Sequence, residues 1–207
     1  MNIKQSATCK FWEERYKGGG DSGRGSYNTD HANFFDFKTN YINNIIQEHK
    51  VKTINDFGCG DGNQIKDLRG FDTYKGYDIS NEAVSKCSNK YENNPKYNFY
   101  SEYKNWAKAD LSMSLDVLYH IMEDDLWLLY INDLFNFSNK LVLIYSVDDD
   151  TLKAPHVKSR NFTTYIKDNF LNYKLLNVSE SPLMKNGTPS SQYYPDSNGV
   201  RFFLYLK

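Results

Sequence analysis

Lys52-Thr-Ile-Asn-Asp-Phe-Gly-Cys-Gly-Asp-Gly-Asn63 decides how this chain is read. Ile54 to Phe57 form a short apolar strand carrying one acid, Asp56. Gly58, Gly60 and Gly62 follow at alternate positions, and Asn63 to Leu68 can begin a helix. Strand, glycine turn and helix make a cradle for a nucleotide-like ligand. Glycine lets the backbone turn sharply and approach the ligand, and a helix start offers unpaired N–H groups. Further on comes Tyr74-Lys-Gly-Tyr-Asp78-Ile-Ser80, a second strand ending in an acid. An acid there accepts the hydroxyl hydrogens of a ribose. The spacing is G-x-G-x-G, not G-x-G-x-x-G, which disfavours an NAD-type dehydrogenase.

The strands continue on both sides of this unit. Phe34 to His49 has helical spacing, with Phe34, Phe37, Tyr41, Ile42, Ile45 and Ile46 apolar. Ser80 is the expected cap of a helix through Cys87. Strands are expected at 97–100, 111–115, 140–146, 173–178 and 200–206, and helices at 123–137 and 162–170. The 140–146 strand is apolar nearly throughout, as a central parallel strand should be. Strands alternating with helices mean α/β with a mostly parallel sheet.

With Asp56 before the glycines and Asp78 after them, the stretch resembles the cofactor site of class I S-adenosylmethionine-dependent methyltransferases. A further match is Ala109-Asp-Leu-Ser-Met-Ser-Leu-Asp116-Val-Leu-Tyr-His120, which looks like that family's fourth strand and the loop facing the transferable methyl. The resemblance implies a Rossmann-like, seven-stranded, mostly parallel sheet with helices on both faces, the last strand an antiparallel insertion. It implies S-adenosyl-L-methionine as cofactor and S-adenosyl-L-homocysteine as product. It places Asp56, Gly58, Gly60, Asp61, Asp78, Ile79 and Asp116 around the cofactor. Trp12-Glu-Glu-Arg-Tyr16 and Ser22-Gly-Arg-Gly-Ser-Tyr27 resemble the N-terminal segment of a subgroup of small bacterial methyltransferases. That finer likeness implies surface-polysaccharide and small-molecule pathways. Residues 1–33 are read as a segment covering cofactor and acceptor, and 34–207 as the methyltransferase domain. Tyr16 and Arg24 are expected at the cofactor, Arg24 through a bidentate fork to its carboxylate or to an acceptor phosphate. Trp12, Tyr27, Arg160 and Tyr194 are expected at the acceptor, and 182–199 is either a plain loop or a lid.

Methyl transfer is an in-line displacement, and holding the partners in line is worth up to roughly 7–11 kcal/mol. A hydroxyl acceptor also needs a base, worth about 10²–10⁴-fold. His120 is the expected general base, because an imidazole titrates near neutrality. Asp116 either holds the cofactor's ammonium or a backbone N–H, or touches the acceptor. His156 is an expected acceptor contact. The acceptor is read as a sugar, a sugar nucleotide or a phosphorylated metabolite methylated on oxygen. The rivals are an N-methyltransferase on a small amine or amide, and a non-catalytic cofactor-binding or interaction domain.

Composition sets the remaining bounds. The chain has 207 residues and a net charge of −1. Its basic residues are scattered, and it lacks an Asn/Asp-Pro-Pro-Tyr tetrapeptide, so nucleic acid is not an expected partner. No apolar run reaches the roughly 20 residues of a membrane span. Three cysteines without metal spacing, and no signal peptide, favour a reduced, cytoplasmic protein. Asp148 to Asp150 is expected to be a solvated loop, Cys59 a packing residue, and no metal is expected. The 17 Tyr, 13 Phe and 3 Trp serve either the core or a ring-lined site.

Overall fold

The computed structural model describes residues 3–23, 26–27, 34–104, 106–150, 153–179, 184–185, 188–189 and 199–207. In chain order they form α1 (Ala7–Lys17), α2 (Phe34–Glu48), β1 (Thr53–Phe57), β2 (Thr73–Tyr77), α3 (Asn81–Lys90), β3 (Tyr97–Tyr100), β4 (Ala109–Leu115), α4 (Asp124–Asn136) and β5 (Ser138–Ser146). The short β6 (Lys153–Ala154) and β7 (Val157–Lys158) pair antiparallel. Then come α5 (Phe162–Asn169), β8 (Lys174–Val178), the short pair β9 (Met184–Lys185) and β10 (Thr188–Pro189), and β11 (Arg201–Leu206).

The main sheet has seven strands in the order β3-β2-β1-β4-β5-β11-β8. Only β11 runs antiparallel to its neighbours. This is the Rossmann-like, mostly parallel sheet expected from the sequence. The order reverses between β1 and β4, and ligands of such sheets sit at the carboxyl ends of the strands flanking that point.

The strand period of two sorts side chains between two cores. Leu141, Leu143 and Tyr145 of β5 join Ile42, Ile46, Ile54 and Phe202 on one face. Val142 and Ile144 join Leu134, Phe162 and Phe203 on the other. Burying each such side chain contributes about 1.5–3 kcal/mol. Many of the aromatic residues are core. Phe57 alone meets Tyr77, Tyr103, Trp106 and Tyr130 edge-on.

Two local expectations change. The helix after the glycine turn does not form, and residues 64–67 are turns instead. The side chains that begin it are spent on tertiary partners. Asn63 gives its amide hydrogens to the Ser26 carbonyl, and Gln64 gives its own to Thr39 Oγ1 at 3.2 Å. The Asp148-Asp149-Asp150 run is not a loop left to solvent. Asp148 accepts from the Thr163 backbone at 3.0 Å and its hydroxyl at 2.6 Å, Asp149 from Ser159 Oγ at 2.9 Å, and Asp150 from Asn161 N at 3.1 Å. Together they hold the start of α5. Among the described residues, no helix is long and apolar enough to cross a membrane.

Candidate active site

A cavity opens at the carboxyl ends of β1, β2 and β4, bounded by the glycine turn, Asp56, Asp78, Ile79, Asp116, Val117 and His120. Its roof is N-terminal: Thr8, Trp12, Tyr16, Ser22 and Ser26 line it as well. Among the described residues, no lysine or arginine does.

Gly58 and Gly60 need to be glycine. Both have left-handed backbones, with φ of +85° and +58°. A Cβ on Gly58 would lie 2.4 Å from Val117 Cγ2, and one on Gly60 would lie 2.2 Å from Ser22 Oγ. The turn is thus pressed between the loop after β4 and the N-terminal segment.

Asp78 shapes the turn. Its Oδ2 accepts from Gly60 N and its Oδ1 from Ser80 N, both at 2.9 Å. Burial lifts its carboxyl to about 6, although these two N–H bonds oppose the shift. Asp56 is buried more completely and accepts the Tyr74 hydroxyl on Oδ2. Among the described residues nothing hydrogen-bonds its Oδ1. Burial raises its carboxyl to about 7.

Asp116 stands at the tip of β4 with φ +60°. Its Oδ2 pairs with the Lys38 ammonium at 2.6 Å, and its Oδ1 accepts from Tyr119 OH at 2.7 Å. Lys38 carries no sequence motif, and its place became visible only in three dimensions.

His120 lies beyond, its Nδ1 3.0 Å from the His156 carbonyl. A carbonyl only accepts, so Nδ1 is the donor and Nε2 keeps its lone pair. Burial lowers the affinity of this imidazole for a proton. Trp12 meets His120 edge-on at 5.1 Å. The His156 ring is exposed, stacked between His120 at 5.7 Å and Phe11 at 5.0 Å. His156 therefore reaches the site through its backbone and through the stack, without its ring lining the cavity.

The N-terminal segment is tied down by Asp61. Its Oδ2 accepts from Ser22 N at 3.0 Å and from Tyr27 OH at 2.9 Å, and its own N–H goes to Ser22 Oγ at 3.0 Å. Ser22 Oγ also meets Tyr16 OH at 3.0 Å. Asp61, expected at the cofactor, and Tyr27, expected at the acceptor, are instead turned toward each other, and neither lines the cavity. Tyr16, Trp12 and Ile79 do line it. Arg24 and Tyr194 lie outside the described residues, as do Tyr193 and most of 182–199. Among the described residues, no group of three or more His, Cys, Asp or Glu is arranged to hold a metal.

Arg160 corrects the expectation of an anion binder. Nε and NH2 donate to Asp124 Oδ1 at 3.0 and 2.7 Å, NH1 to the carbonyls of Ile121 and Lys158 at 2.8 and 3.3 Å, and NH2 also to Met122 O at 3.2 Å. All five of its N–H groups are thus used. It fastens the chain after β7 to the start of α4. Arg160→Ala is expected to lower stability by about 1–3 kcal/mol, because it leaves partly buried carbonyls without their donor, yet to leave ligand binding within twofold. Urea unfolding and calorimetric titration check the two halves.

The sequence matches no described protein family and no curated protein. Solved structures do resemble it. The N-methyltransferase NodS from Bradyrhizobium japonicum WM9, in complex with S-adenosyl-L-homocysteine, superposes with a TM-score of 0.74 at 12% identity, covering 98% of this chain and 99% of that one. Magnesium protoporphyrin IX methyltransferase (ChlM) from Synechocystis PCC 6803 with bound S-adenosylmethionine gives 0.66 at 14%, with 98% of each chain covered. The small RNA methyltransferase HEN1 gives 0.61 at 16%, covering 83% of this chain and 25% of that one. At these identities the likeness establishes the fold, and the three names span a porphyrin, an N-methyltransferase and an RNA enzyme.

Proposed function

We propose that this chain is an S-adenosylmethionine-dependent methyltransferase acting on a hydroxyl of a small polar acceptor. One observation carries the reading: Asp56, in the wall of the cavity under the glycine turn, has a buried Oδ1 that no described group hydrogen-bonds. An unpaired carboxylate oxygen in such a place costs free energy until a cation meets it. The cofactor is cationic twice over, at its ammonium and at its sulfonium. When bound, it supplies an electrophilic methyl group.

The chain's own residues fit it. Asp56 is placed for a cationic group, and the ribose hydroxyls suit the free lone pairs of Asp78. Gly58 and Gly60 let the backbone come close. Asp116 and His120 bound the methyl end, and Trp12 and Tyr16 cover it. His120 is neutral at pH 7 because burial lowers its proton affinity, and Nε2 is the free acceptor for a hydroxyl proton. The acceptor is read as a sugar, a sugar nucleotide or a phosphorylated metabolite, and the wall carries three acids, Asp56, Asp78 and Asp116. The same acid-lined wall supports the second reading, methylation of an amine. A place in surface-polysaccharide modification rests on the N-terminal motif alone.

Calorimetric titration with S-adenosyl-L-homocysteine tests the cofactor. Micromolar binding is expected, and no binding would remove the reading. Methyl transfer to a hydroxyl acceptor identified by screening should fall about 10²-fold in His120→Gln. A loss under threefold would favour nitrogen as the nucleophile.

A further inference from the structure

Stability alone does not account for Lys38. It sits in the buried stripe of α2 with Phe35, Thr39, Ile42, Ile45 and Ile46, and 0% of its side chain is exposed. Among the described residues, its one hydrogen-bond acceptor is Asp116 Oδ2. Taking both charges out of water costs several kcal/mol each, and replacing such a pair by apolar groups of similar size is often neutral or stabilising. A methionine at 38 would fit the same stripe.

Its partner is equally unusual. Asp116 holds a left-handed backbone, φ +60°, which costs a non-glycine residue on the order of 1–2 kcal/mol. The Tyr119 hydroxyl holds the carboxylate from the other side. Strain, a buried charge pair and the cavity wall coincide at one residue, and such coincidences mark functional sites. Lys38 itself is not part of that wall.

We propose that Lys38 is a positioning residue: through Asp116 it holds a carboxylate fixed in orientation at the methyl end of the cavity. The inference rests on the S-adenosylmethionine reading above. Positive charge spreads over methyl and acceptor during transfer, and a carboxylate already in place stabilises it without reorganising. The groups facing Asp116 are Lys38 from α2, and Tyr119 and His120 from the turn after β4. Without the ammonium, the Tyr119 hydroxyl is the one described side-chain partner left on the carboxylate.

Two ligands test this by binding alone: S-adenosyl-L-homocysteine, and sinefungin, which carries an ammonium where the methyl stands. Wild type is expected to prefer sinefungin. Lys38→Met should lower that preference at least fivefold at pH 7.5, with S-adenosyl-L-homocysteine affinity within threefold, and Lys38→Arg should restore it. Lys38→Met/Asp116→Asn, which removes both charges, should unfold at the wild-type temperature and still lack the preference. If the single variant folds poorly, the double variant still leaves the proposal open to refutation, and Lys38→Arg carries the positive test. The proposal is overturned if the double variant keeps the wild-type preference, or if Lys38→Met loses both ligands alike. Wild type that binds S-adenosyl-L-homocysteine without preferring sinefungin overturns this proposal alone. Wild type that binds neither overturns the cofactor reading with it.

Discussion

Replacing Asp78 by alanine is expected to weaken S-adenosyl-L-homocysteine binding at least a hundredfold. Two losses combine. On the proposed reading the carboxylate accepts ribose hydroxyls, and a hydrogen bond to a charged group is worth about 1.5–3 kcal/mol. Two such bonds amount to roughly a hundredfold or more, at a factor of ten per 1.4 kcal/mol. Asp78 also fixes the turn itself, through Gly60 N and Ser80 N. Asp78→Asn keeps the shape but turns one acceptor into a donor facing an N–H, and should lose about tenfold. Calorimetry on the two variants separates the contributions. Binding by Asp78→Ala within threefold of wild type would take the ribose away from this residue.

The ligand-free protein is expected to lose stability, on the order of 3 kcal/mol, as pH rises from 5 to 8. Burial raises Asp56 from 3.8 to about 7 and Asp78 to about 6. In that window the folded state holds protons that the unfolded chain has released, so stability falls with pH by about 1.4 kcal/mol per unit for each such proton. Asp133 and Asp148, also raised by burial, act with the same sign. His120 acts with the opposite sign below its ordinary value of 6.5, because there the unfolded imidazole binds the proton that the folded one refuses. Glu13, Asp61, Glu123 and Asp124 are lowered. Their stabilisation is complete above the ordinary carboxylate range and constant across the window. Urea unfolding at each pH unit measures the slope, and Asp56→Asn should flatten most of it. A wild-type profile that rises from pH 5 to 8 would contradict an unpaired Asp56.

The parts of this molecule that were legible are those written in short-range pattern. Alternation, glycine spacing and the acids at the ends of β1 and β2 are local, and they fixed the sheet and the floor of the cavity. Lys38 was not legible for a nameable reason. The apolar stripe of α2 reads as Phe34, Phe37, Tyr41, Ile42, Ile45 and Ile46; Ile42, Ile45 and Ile46 are buried, but the rest of the buried face is Phe35, Lys38 and Thr39, with Phe34, Phe37 and Tyr41 half-buried. The available signal was a lysine three residues after Phe35 and four before Ile42. Asp61 and Arg160 were misread because their partners are distant in sequence: Ser22 and Tyr27 for one, Asp124 and the Ile121 and Met122 carbonyls for the other. Charge and side-chain type suggested ligands, and closure of the chain on itself supplied them first. The absent helix after Gly62 has the same origin, since Asn63 and Gln64 bond outward.

The roof over the cavity also carries a kinetic consequence. Trp12, Tyr16, Ser22 and Ser26 close it from one end of the chain, and the tie to the glycine turn runs through a few hydrogen bonds at Asp61 and Ser22. On the proposed reading, a nucleoside bound beneath them would leave when Ser22 and Ser26 move aside. α1 is held more firmly, by Glu13 to Ser80 and Glu82, by Lys86 to the Tyr16 and Gly20 carbonyls and by Glu123 to Ala7 and Thr8, so the local opening, far less costly than unfolding the sheet, is that of Ser22 and Ser26. Exchange of product for fresh cofactor would then proceed at the frequency of this opening, not at the rate of diffusional encounter. Turnover would be governed by release, and shortening the tie by one bond would quicken the whole cycle while weakening the hold on each molecule bound.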